Sequence, residues 1–108
     1  LEKEYSSIYT RAKSSMVMGL ALIHHLFISN QLSFYKIAQI LDGFSEQHVI
    51  VEFIPFEDEK VQFLIKDKQR DYSDYTEEAF KEAIERFFEI KERKQIDGSE
   101  RILYLLEK

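Results

Sequence analysis

The run Val17-Met18-Gly19-Leu20-Ala21-Leu22-Ile23-His24-His25-Leu26 decides how this chain is read. Up to Ile23 the side chains are apolar without polar alternation. That is the pattern of a strand buried on both faces in a parallel sheet, and a buried helix is the rival reading. The strand reading covers residues 15–23. It sets His24 and His25 at the strand's carboxyl end, where open α/β sheets gather their ligands.

Upstream, residues 1–14 are polar with Tyr5, Ile8, Tyr9 and Ala12 at helical spacing, so a lead-in helix is expected. Downstream, Ser33 is a candidate N-cap for a helix over residues 33–43. Phe34, Ile37, Ile40, Leu41 and Phe44 lie on one face of it, and Gly43 stands near its end. "HVIVEFIP" is a second apolar run, rich in β-branched residues and closed by Pro55, and it reads as a strand over 48–54. Val61, Leu64 and Ile65 predict a helix over 58–68. Thr76, followed by Glu77 and Glu78, caps a helix over 76–87 whose apolar stripe is Phe80, Ala83, Ile84 and Phe87. The last two segments, 88–96 and 101–107, flank an Asp97-Gly98-Ser99 turn. The first is charged, as suits an edge strand, and the second is apolar on both faces, as suits the sheet interior. The predicted fold is one α/β domain over residues 1–108: two parallel strands with a crossover helix, then an antiparallel hairpin.

Composition narrows the function classes. The chain has 108 residues, enough for one domain, and a net charge of -5 with scattered lysines and arginines. A nucleic-acid partner is not expected, because phosphate binding needs a clustered basic face and "KERK" at 91–94 is short and interrupted by Glu92. The absence of cysteine removes disulfides and thiolate metal sites and fits a cytoplasmic protein. The apolar stretch over 16–28 falls short of the ~20 residues of a membrane span and is broken by histidines. A soluble, intracellular chain without membrane association or a leader is the expectation.

The segments "LALIHHL", "VIVEFIPFED", "DYTEEAF" and "GSERILYLLEK", in this order and with "YTRAKSSMV" upstream, resemble the C-terminal half of a class I S-adenosylmethionine-dependent methyltransferase, of a bacterial nodulation-related group. The resemblance covers nearly the whole chain. It implies a Rossmann-like sheet in which the last strand is inserted, antiparallel, between the second parallel strand and the edge strand. It also implies that Gly19, Leu20 and Ala21 line the pocket of the cofactor, S-adenosylmethionine, in the full-length protein. The family's glycine-rich turn and its ribose-holding acidic residue have no counterpart here: Gly19, Gly43 and Gly98 fall in three separate elements. The chain therefore reads as a fragment, inactive in isolation and not expected to bind the cofactor tightly. The methyl acceptor is unknown. An exposed edge on the first strand should promote self-association. A non-catalytic α/β interaction module that presents this edge to a partner is the alternative.

The candidate site residues follow. His24 and His25 could serve as a general base, since imidazole titrates near neutral pH. Alternatively, one hydrogen-bonds the backbone at the strand-to-helix turn and the other packs in the core. A metal site is not expected, because adjacent residues on a strand diverge and only His48, Glu52 and Asp58 are near in sequence. Glu52 interrupts an apolar strand, which points to function, to a salt bridge or to exposure at the strand end. Tyr72, Asp74 and Tyr75 precede the capped helix, where the family builds its acceptor-side wall; the other reading is a packed tyrosine and a turn-forming aspartate.

Overall fold

A computed structural model describes residues 16–19, 22–44 and 47–108 of the chain. In order these form β1 (Met16–Gly19), α1 (Ile23–Ile28), α2 (Phe34–Phe44), β2 (His48–Phe53), α3 (Glu59–Ile65), α4 (Glu77–Ile84), β3 (Glu89–Gln95) and β4 (Ile102–Glu107). The lead-in helix expected over 1–14 lies outside the described residues.

The decisive run is divided between the two readings. Its first part is the short strand β1, but Ile23 and both histidines belong to α1, so the expected strand over 15–23 is too long. The buried residues of this segment are Ile23, His24, Phe27 and Ile28, while Leu22 and His25 are exposed. That spacing is one face of a helix. An all-apolar run carries no period of its own, and only the surface it packs against selects helix over strand.

The other elements keep their expected places with shorter ends, except α2, which keeps its length and shifts by one residue. α2 begins under the Ser33 cap, whose Oγ accepts from Lys36 N at 3.1 Å. Phe44, expected on its buried face, is instead 75% exposed. α3 starts after its cap Asp58 and ends three residues before the expected Lys68; α4 starts after its cap Thr76 and leaves Phe87 in the following turn.

The sheet order is β1-β2-β4-β3. β1 runs parallel to β2, from Met16 opposite His48 to Gly19 opposite Val51. β4 is antiparallel to β2 on one side and to β3 on the other, so the inserted last strand stands where the sequence places it. β3 alternates exposed and half-buried residues, as an outer strand does, and carries an irregularity between Ile90 and Glu92.

Val49, Val51 and Phe53 of β2 and Ile102, Tyr104 and Leu106 of β4 share one core with residues from all four helices. The intervening Ile50, Glu52, Leu103 and Leu105 are buried too, on the opposite face of the pleat. Burial on both faces is why these strands show no polar alternation. The core is unusually aromatic: the Phe27 ring lies 4.5 Å from Phe34, and Phe53 lies 5.2 Å from Phe80 and 5.4 Å from Tyr75. At the sheet margin Arg93 donates two hydrogen bonds to the Glu77 carboxylate, at 2.7 and 3.1 Å, and the Tyr104 hydroxyl donates to the same carboxylate. Among the described residues no helix is long and apolar enough to cross a membrane.

Candidate functional site

In the chain, β1 is followed by α1 and β2 by α3. His24 lies on the buried face of α1 and is 1% exposed, while His25, one residue on, faces outward. Their rings stay close, with centroids 4.4 Å apart and planes tilted by 41°. The Nδ1 atom of His24 is buried without a hydrogen-bond partner among the described residues. Burial, and then the nearby His25, Lys60 and Arg101, oppose protonation more than Asp58 favours it, and the pKa of His24 falls from its ordinary 6.5 to about 4. At neutral pH His24 is an uncharged imidazole.

After β2 the chain turns at Pro55, whose carbonyl accepts from Asp58 N at 3.0 Å. Asp58 then caps α3 by accepting from Lys60 N at 2.9 Å, and it holds Arg101 through Nε at 2.9 Å and a second guanidinium nitrogen at 3.2 Å. Arg101 directly precedes β4, so one forked ion pair ties the β2–α3 turn to the start of the last strand. Chiefly because of this hydrogen bonding to Arg101, the Asp58 carboxyl sits below its usual range.

A groove of about 490 Å³ lies between α1 and α3, lined by His24, His25, Glu59, Lys60, Phe63 and Leu64. It brings the two predicted histidines together with residues that sequence reading did not single out for function. Leu64 carried only a helical period, Phe63 stood outside the predicted stripe, and Arg101 reaches Asp58 across 43 positions, a distance at which no local signal exists.

The other predicted residues lie elsewhere. Glu52 is 3% exposed and points to the sheet face away from the helices, so it does not line the groove. Tyr75 is a core residue: its hydroxyl donates to the Ile54 carbonyl at 2.5 Å, and burial raises its pKa. Tyr72 is buried beneath the Arg70 guanidinium, which stands 4.8 Å from its ring centre and 5.0 Å from that of Phe27. Asp74 is exposed and accepts from Arg70 at 2.8 Å. These three residues brace a turn. Together with Phe56, Glu57 and Thr76, Tyr72 and Tyr75 line a separate cavity of about 370 Å³. Gly19 ends β1; Leu20 and Ala21 lie outside the described residues. His48, the remaining metal candidate, donates from Nε2 to the Glu107 carboxylate at 3.0 Å, at the opposite end of β2. No group of three or more potential metal ligands occurs among the described residues.

The chain is 31% identical over 107 residues to Nodulation protein NoeA of Rhizobium meliloti (strain 1021), which is 99% of this chain and 22% of that protein. It therefore spans less than a quarter of the length of this curated relative. No protein-family model matches the chain, and no solved structure matches it.

Proposed function

We propose that this chain is the C-terminal portion of a Rossmann-like, S-adenosylmethionine-dependent methyltransferase, and that the histidine groove lies on the methyl-acceptor side of its crevice. One observation carries the reading: a parallel pair, β1 and β2, is followed by a hairpin whose last strand is inserted antiparallel beside β2. The sequence resemblance implies that order. Supporting it, the groove is walled by α1 and α3, the helices that directly follow β1 and β2 in the chain, and such sheets bind ligands beyond the carboxyl ends of their strands.

The residues present do not make a complete cofactor site. The glycines that are described with their surroundings, Gly43 and Gly98, are isolated, one near the end of α2 and one in the hairpin turn. Neither belongs to a glycine-rich turn that would let a backbone approach the cofactor, and no acidic residue is held beside such a turn. No catalytic step is derived through the cofactor for this reason. What the chain itself offers is a neutral His24, an outward-facing His25 and an apolar wall.

Titration calorimetry with S-adenosylhomocysteine tests the reading. Tight binding by a version extended upstream, with none by this chain, is the expected result. No binding by either version overturns it. The second reading, an interaction module that lends a sheet edge to a partner or to another copy, is favoured by the outer position of β1 in the sheet order. It predicts concentration-dependent association of this chain in analytical ultracentrifugation, lost when proline replaces Val17.

A further inference from the structure

We infer that the groove between α1 and α3 is a binding site for a flat, uncharged aromatic alcohol that stacks on Phe63 and hydrogen-bonds to the imidazole of His25. The inference stands on the groove itself and adds to the methyl-transfer reading the chemical class of the acceptor.

Phe63 is the first observation. It is 67% exposed although α3 has a buried face at Val61, and its ring forms part of the groove wall. The Lys66 ammonium lies 4.7 Å from the ring centre. A cation held near the ring helps to fix its orientation at the wall. An exposed phenylalanine alone is ordinary. One set in a concave wall opposite imidazoles and beside Leu64 is a surface for another ring.

Charge selects the ligand class. Glu59 and Lys60 line the groove with opposite signs, and His24 beneath His25 stays uncharged above about pH 4. Asp58, the remaining nearby acid, is occupied by Arg101. The two lining charges sum to zero, so the groove offers no net attraction to an anion or a cation, whereas a neutral hydroxyl can either donate to or accept from an imidazole. Planarity matches the planar groups of the wall, and offset stacking between rings adds to the burial of apolar surface.

The test is a titration of the 108-residue chain with 2-naphthol, followed by NMR of the histidine, phenylalanine and leucine side chains, with 2-naphthoate and cyclohexanol as comparison ligands. Saturable shifts centred on His25, Phe63 and Leu64 are expected with 2-naphthol, and at least tenfold weaker binding with the other two. Phe63→Ala, at an exposed position that folding does not need, should weaken 2-naphthol by roughly three- to tenfold. Equal or tighter binding of 2-naphthoate overturns the proposal, as do unchanged affinity in Phe63→Ala, shifts scattered over the surface, or no binding. The outcome is separable from the cofactor titration. Naphthol binding without S-adenosylhomocysteine binding by the extended chain keeps the groove and removes methyl transfer, and the converse removes only the groove.

Discussion

His24 sits where a proton is costly. Its pKa is near 6.5 in an unfolded chain and about 4 when folded, so between these values the unfolded state binds more protons. The stabilisation is fully present above pH 6.5 and is lost as pH falls toward 4. Urea unfolding across that window should show a falling midpoint, and His24→Gln should flatten the fall; NMR titration should find His24 neutral at pH 5. Asp58 acts lower on the scale: its depressed pKa means that its contribution persists down to about its ordinary value and is lost below it. Tyr75 offers a simpler test. Tyr75→Phe removes the hydroxyl that satisfies the buried Ile54 carbonyl and should cost about 1–2 kcal/mol in urea unfolding, with ring packing unchanged.

At the scale of elements, caps and turns are the points of leverage. Thr76 Oγ1 accepts from Ala79 N at 3.1 Å, and Thr76→Ala should cost about 1 kcal/mol. Asp58 combines a cap with an ion pair. Asp58→Asn keeps a capping oxygen and loses the charge opposite Arg101, so its unfolding midpoint should lie between those of wild type and Asp58→Ala. Gly98 has open space around it but a φ of +74°, so Gly98→Ala should destabilise the hairpin by about 1 kcal/mol through backbone strain alone.

How much of this was legible in the sequence also divides by element. α4 was readable because Phe80, Ala83 and Ile84 keep a helical period behind a threonine cap, and the hairpin because a charged strand and an apolar strand flank a glycine turn. α1 was not, because an apolar run is compatible with either geometry until its packing partner is known. The same limit applied to the site. The histidines were visible, but only their place on a helix decides which of them is buried. Phe63 becomes meaningful only once α1 and α3 are brought together, and the Asp58–Arg101 pair only once the start of α3 meets the start of β4. For Tyr72, Asp74 and Tyr75 the sequence offered an acceptor-side wall or a packed tyrosine with a turn-forming aspartate, and in the fold both tyrosines are buried.

At the scale of the whole molecule, the aromatic core joins every layer. Phe53 contacts Phe34, Tyr75 and Phe80, so Phe53→Ala should cost about 3–5 kcal/mol, a large share of the stability of a domain this size, measurable as a lowered urea midpoint or outright unfolding. β4 imposes a different constraint. It is the partner of both β2 and β3, yet it follows each of them in the chain. During synthesis from the N-terminal side, β3 has no neighbour to pair with until residues 102–107 have left the ribosome, and β2 lacks its antiparallel partner. The sheet is thus completed from its middle only after β4 emerges, and until then one edge of β2 and the whole of β3 stand open to chaperones, proteases and other nascent chains.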